Sequence, residues 1–254
     1  YDEQGFLETY EMDLDHLESI IDDRTRILIL SNPHNPCGVC FSVESLQRLA
    51  EICRRRGVIV ISDEIHAEMV LGGKKHHPFA SVSEDAAQCS ITFLAPSKTF
   101  NIAGVVSSYC IIQNPELSKK FFDYIDAVEF DYPSIFSAEA TRAAYTDKGR
   151  EWRKEMLAYV EGNVDFVDSW LKENLPVVHA VRPQASFLIW LDCRKLGLSQ
   201  EQLVHLFVDG AHLALNDGTM FGKEGAGFMR LNIGCPRAVL KEALEHLAAA
   251  VKAL

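Results

Sequence analysis

Gly57-Val58-Ile59-Val60-Ile61-Ser62-Asp63-Glu64-Ile65-His66 is the stretch on which the fold turns. A short β-branched apolar run, opened by a glycine and closed by polar residues, reads as a buried strand. Before it lies a helical pattern. Ser42 is a plausible N-cap, apolar residues recur at Leu46, Leu49, Ala50 and Cys53, and Gly57 supplies the stop. Arg54-Arg55-Arg56 falls in the last turn, where basic side chains compensate the helix dipole. Farther upstream a second apolar run, Arg26–Leu30, precedes Asn32-Pro33-His34-Asn35-Pro36. Downstream a third, Ile91–Leu94, precedes Ala95-Pro96-Ser97-Lys98-Thr99-Phe100-Asn101. Strand, helix, strand, connection, strand predicts a parallel α/β sheet with right-handed crossovers.

Each run ends in a polar group: an amide at Asn35, a carboxylate at Asp63, an amine at Lys98. In open α/β sheets ligands bind beyond the carboxyl ends of the strands. Singly, each group has an ordinary reading. A lysine after a strand is usually a solvated loop residue, and Asn-Pro is a common turn dipeptide. Their joint appearance in order points to a Schiff-base lysine with partners for an aromatic cofactor. Such a lysine is uncharged for part of its cycle, and a carboxylate at a pyridine nitrogen keeps that ring an electron sink.

Beyond Ala95 the spacing predicts a strand over Ser107–Ile112 and a helix opening at Asn114-Pro115-Glu116. From Ser137 to Leu175 the pattern is helical, with a break at Asp147-Lys148-Gly149. A second region follows: a strand over Phe187–Leu191, a helix from Ser199 to His212, a strand over Phe228–Ile233 and a closing helix from Arg237 to Leu254. The expected boundary lies near residue 175.

The chain has 254 residues, is 48% hydrophobic and carries a formal net charge of -11. It can bury a substantial core, and its acidic excess argues against nucleic acid and anionic membranes as partners. No apolar stretch approaches the roughly 20 residues that span a bilayer, and no secretory leader is read. The expectation is a soluble, cytoplasmic protein. Seven scattered cysteines, an odd number, suggest reduced thiols. Cys37-Gly38-Val39-Cys40 has C-x-x-C spacing, but no second pair follows, so zinc or redox chemistry is weakly supported. A metal hydrolase built on Asp63, Glu64, His66, His76 and His77 would leave Lys98, Asn35 and Arg230 without roles; no metal is expected.

Three segments carry a resemblance: Ser31-Asn32-Pro33-His34-Asn35-Pro36-Cys37-Gly38, Ser62-Asp63-Glu64-Ile65-His66 and Ala95-Pro96-Ser97-Lys98-Thr99-Phe100-Asn101-Ile102-Ala103-Gly104. They resemble the signatures of class I/II pyridoxal-phosphate (PLP) enzymes of fold type I, with Asp63 28 positions after Asn35 and Lys98 35 positions after Asp63. Asp-Glu-Ile-His and Gly227-Phe228-Met229-Arg230-Leu231-Asn232-Ile233-Gly234-Cys235-Pro236-Arg237 are similar to the MalY/PatB branch of cystathionine β-lyases, or C–S lyases. Aminotransferases usually carry tyrosine where His66 stands.

The resemblance implies a mainly parallel sheet flanked by helices, with residues 1–175 in a large PLP-binding domain and 176–254 in a small α+β domain. It implies Lys98 as the cofactor-bound lysine and Cα base, Asp63 at the ring nitrogen, Asn35 and His66 at the ring hydroxyl, Ser97 at the phosphate, and Arg230 on the substrate α-carboxylate. It also implies a homodimer, a small amino-acid substrate and α,β-elimination. The alternatives are transamination or a non-catalytic, truncated relative. Two departures stand out. Many relatives carry a phosphate-binding arginine where this chain has Val106, leaving the Ser107 and Ser108 hydroxyls as substitutes. The chain starts Tyr1-Asp2-Glu3, without methionine, and relatives carry a longer N-terminal portion that holds a phosphate loop and a ring-stacking aromatic.

Overall fold

A computed structural model describes residues 1–130 and 132–254. The chain divides into two compact units. The first comprises Glu11–His34 and Cys40–Glu155; the second comprises Tyr1–Tyr10, Asn35–Val39 and Met156–Leu254.

In the first unit the strands β1 (Ile27–Ser31), β2 (Ile59–Asp63), β3 (Ser90–Leu94) and β4 (Tyr109–Ile111) lie side by side in that order. β1, β2 and β3 run parallel, with Ser31 opposite Asp63 and Asp63 opposite Phe93. Their carboxyl ends therefore sit level, as the three polar terminations predict. β4 is antiparallel to β3, pairing Tyr109 with Leu94. The helix Val43–Arg56 forms because both ends are satisfied. Ser42 Oγ accepts from Ser45 N at 3.1 Å, and Gly57, at φ +66°, closes the last turn. Its Leu46, Leu49, Ala50, Ile52 and Cys53 face is buried.

The second unit contains β5 (His179–Val181), β6 (Leu188–Asp192), β7 (Asn216–Asp217) and β8 (Phe228–Asn232), antiparallel in the order β5-β6-β8-β7. Every residue of β6 is buried, and Trp190 stacks on Phe228 with ring centroids 5.3 Å apart. The helix Arg237–Lys252 buries Leu240, Leu244, Leu247 and Ala248, one stripe at helical spacing. The helix Asp147–Asn174 buries Val160, Val164, Val167 and Leu171. Asn163, on the same face, donates to Ile233 O at 2.9 Å and Cys235 O at 3.1 Å, and so fixes the chain leaving β8.

Gly38 sits where no side chain fits. Its φ is +66°, and a Cβ there would lie 2.7 Å from Pro183 Cβ and 2.8 Å from Ala185 O. Its carbonyl accepts from Gln184 N at 2.9 Å and Ala185 N at 3.0 Å, so the neighbour cannot retreat without breaking both bonds. Gly38→Ala is expected to destabilise the fold by about 2–4 kcal/mol. Urea unfolding would show a lowered midpoint at unchanged slope; a loss under roughly 0.5 kcal/mol would contradict this packing.

Neither of the two cysteines flanking this turn forms a disulfide. Burial pushes the Cys37 thiol up to about 12 and the Cys40 thiol up to about 11, so neither is a poised thiolate.

Candidate active site

Asp63 is the last residue of β2. Its Oδ1 accepts from Ile65 N at 3.2 Å, and its side chain makes no ion pair among the described residues. Glu64 N continues the ladder to Phe93 O at 2.9 Å, and Asn32 N donates to Asp63 O at 2.9 Å. Asp63 is thus gripped by backbone on both flanks at the level where the parallel strands end. His66 follows one turn later, 4% exposed, in a turn closed by Ala67 N to Glu64 O at 2.9 Å.

Lys98 lies on a single helical turn, Pro96–Thr99, directly after β3. Pro96 at the first position suits a helix start, because its missing N–H has no intrahelical acceptor to lose. Thr99 is buried, and Phe100 anchors the turn by stacking on Trp152 at 5.8 Å and meeting Tyr145 edge-on at 5.8 Å. Lys98 itself is exposed and makes no ion pair among the described residues. Ser97 is half-buried beside it. Ser107 Oγ lies 2.7 Å from Thr141 Oγ1, so that hydroxyl is already engaged; Val106 is 79% exposed with φ +54°. Asp63 and the Lys98 turn therefore follow the ends of two hydrogen-bonded neighbouring strands.

In the second unit Asn35 and Arg230, 195 residues apart in the chain, are in contact. Arg230 Nη1 donates to Asn35 Oδ1 at 2.8 Å and Nη2 donates to Asn216 Oδ1 at 2.7 Å. Phe221 lies under the guanidinium, 4.9 Å from its centre. Arg230 Nε is buried with no hydrogen-bond partner, and no carboxylate pairs with the group among the described residues. Burial lowers the Arg230 pKa from its ordinary value, the mark of a desolvated cation without a counter-ion. Both Nη contacts are neutral amide oxygens, so the site holds a positive charge that it does not itself neutralise. Accepting from Arg230 at Oδ1 also orients the Asn35 amide, with its NH₂ as the donor end. Sequence reasoning passed over Asn216 and Phe221. Asn216 lies in the two-residue β7, too short to leave a periodic signal.

Among the described residues no helix is long and apolar enough to cross a membrane. The model of the family "Aminotransferase class I and II" matches residues 1–247. Cystathionine beta-lyase PatB of Bacillus subtilis is 42% identical over 243 residues, which is 95% of this chain and 62% of PatB. Cystalysin from Treponema denticola, whose crystal structure contains a pyridoxal 5'-phosphate cofactor, superposes with a TM-score of 0.92 at 31% identity, over 97% of this chain and 62% of that one. The PLP-bound C–S lyase from Staphylococcus hominis gives a TM-score of 0.86 at 32% identity, over 96% and 62% of the two chains. The chain thus spans a little over three-fifths of the length of these relatives. Matched along nearly its whole length by that family model, the chain belongs to the class I and II aminotransferase family.

Proposed function

We propose that this chain carries the PLP-dependent chemistry of a C–S β-lyase, acting on cystathionine or a related cysteine S-conjugate. The observation that carries the reading is Arg230: a desolvated guanidinium held by two amide oxygens, with a buried unpartnered Nε and no carboxylate of its own. Such a group suits the α-carboxylate of an amino acid, which a planar fork binds bidentately. The donor set also suits PLP: an amine and a carboxylate after adjacent strand ends, and the Asn35 amide, whose Oδ1 accepts from Arg230. When bound, that cofactor supplies an electron sink for a carbanion at the substrate Cα.

The residues divide the labour. Lys98 would hold the cofactor aldehyde and serve as the base for the substrate Cα proton. Asp63 keeps a proton on the ring nitrogen. Asn35 and His66 address the ring hydroxyl oxygen, Ser97 the phosphate, and Arg230 the substrate carboxylate. Breaking the Cβ–S bond releases a thiol; with one water taken up, the remaining carbon skeleton leaves as pyruvate and ammonia. The names of PatB and of the C–S lyase favour this outcome over amine transfer. With the reading go a homodimer in the cytoplasm and residues 1–175 as part of the large PLP-binding domain, 176–254 as the small one.

Pyruvate release from cystathionine, measured against keto-acid-dependent amine transfer, tests it; amine transfer without pyruvate would refute it. Arg230→Lys is expected to raise KM about 10- to 100-fold, the loss of roughly 1.5–3 kcal/mol of charged hydrogen bonding, with a smaller change in kcat. Steady-state kinetics check it, and an unchanged KM would remove Arg230 from the site.

A further inference from the structure

We propose that Glu64 is a positioning residue, which aims the Asp63 carboxylate at the cofactor ring nitrogen through a buried contact with His76. The inference rests on the reading above, in which Asp63 meets that nitrogen.

Glu64 is 1% exposed and directly follows Asp63, the last residue of β2. Its Oε1 accepts from Ser62 Oγ at 2.8 Å and from Phe79 N at 2.8 Å. Its Oε2 lies 2.7 Å from His76 Nε2, and the His76 side chain is only 7% exposed. Burying a carboxylate costs several kcal/mol unless its oxygens are satisfied. Here they are, by three partners drawn from the strand and from the segment after it.

Consecutive strand residues project to opposite faces. Ser62 is fully buried, Asp63 half-buried and Glu64 buried, so fastening Ser62 and Glu64 on one face obliges Asp63 to point from the other. The main chain that follows Glu64 carries the local donor to Asp63. The turn closed by Ala67 N to Glu64 O presents Ile65 N, which holds Asp63 Oδ1 at 3.2 Å. The far end of the segment is tied twice. Glu64 holds Phe79 N and His76, and Asn32 Nδ2 donates to His77 O at 3.0 Å. One buried carboxylate thereby closes residues 64–79 into a loop fixed to the ends of β1 and β2. If Glu64 swings free, both the face and the rotamer of Asp63 are released.

The test measures the PLP dissociation constant and the pH at which the visible cofactor band changes in the holoenzyme. Wild type, E64Q, D63N and the double variant are compared. E64Q is expected to weaken PLP binding about 10-fold and to move the pH of the band change, as removal of an orienting partner does. D63N is expected to weaken binding more, and E64Q to add nothing in the D63N background, because its effect passes through Asp63. H76F, which removes the donor, should behave as E64Q does and supplies the measurement if E64Q does not fold. H76Q, which restores a side-chain donor, should recover most of the affinity. If E64Q and H76F lower the melting temperature but leave the PLP affinity and the band unchanged, the network is merely structural and the proposal falls. Full additivity of E64Q with D63N overturns it as well. Wild-type protein that binds no PLP would instead refute the reading of the site, whatever Glu64 does.

Discussion

Lys98→Ala is expected to lower kcat for the proposed β-elimination about 10⁴-fold while leaving the stability of the fold within roughly 0.5 kcal/mol of wild type. The two halves of this expectation have separate origins. Lys98 is exposed on a single helical turn and makes no ion pair among the described residues, so its removal takes nothing from the fold. The turn is held by other groups: buried Thr99, and Phe100 against Trp152 and Tyr145. The chemistry, on the proposed reading, would lose both the amine that holds the cofactor and the base that takes the Cα proton. A small exogenous amine such as methylamine should restore part of the rate. Lys98→Arg should not, because a guanidinium stays protonated at any working pH. A Lys98→Ala enzyme within tenfold of wild type would leave the proton transfer without its agent.

Asp192→Ala is expected to cost about 2–3 kcal/mol of stability at neutral pH, the largest loss we expect from one buried ion pair here. Asp192 is fully buried at the end of β6 and accepts four hydrogen bonds. Arg194 N and Nε donate to Oδ1 at 3.2 and 2.9 Å; Arg194 Nη2 and Leu7 N donate to Oδ2 at 2.6 and 3.0 Å. Arg194 then carries the link onward, donating to Gly5 O at 3.1 Å. One carboxylate thus fastens residues 5–7 to the sheet of its unit. The figure sits below that for a fully buried pair because the Arg194 side chain is 36% exposed. Burial alone would raise the Asp192 pKa; the hydrogen bonds from Arg194 and Leu7 outweigh it and hold the pKa below its ordinary 3.8. With the folded value depressed, the stabilisation is complete above the unfolded pKa, near 4. It is lost as pH falls through the folded value. Urea unfolding should therefore show a gap between wild type and variant that is full at pH 7 and narrows below about pH 4. A gap that widened in acid would contradict the sign.

Where apolar runs were uninterrupted, the fold was legible in the sequence. The three parallel strands and the helix between Ser42 and Gly57 lie within a residue or two of expectation, because caps and β-branched runs are local signals. Ser107–Ile112 shrinks to Tyr109–Ile111 and runs antiparallel, a direction that no local pattern encodes. The helical tract breaks at Tyr145-Thr146, just before the expected Asp147, and the next helix opens on Thr146, whose Oγ1 accepts from Gly149 N at 3.2 Å. The helix expected over Ser199–His212 passes at Leu206 into a π-helical turn ending at Gly210. β5 and β7, of three and two residues, are held by partners rather than by propensity.

The candidate site divides in the same way. Asp63 and Lys98 were legible because each follows a strand. The contact of Arg230 with Asn35 was not, since the tertiary fold alone joins residues so far apart. Glu64 and His76, two of the five residues weighed and set aside as metal ligands in sequence, meet in three dimensions in a buried hydrogen bond beside Asp63.

The most direct measurement is borohydride reduction of the PLP-loaded protein followed by peptide mapping of the pyridoxyl label. The label is predicted on Lys98, within Ala95-Pro96-Ser97-Lys98-Thr99-Phe100. Label on another lysine, or none on a protein shown to bind PLP, would contradict the account.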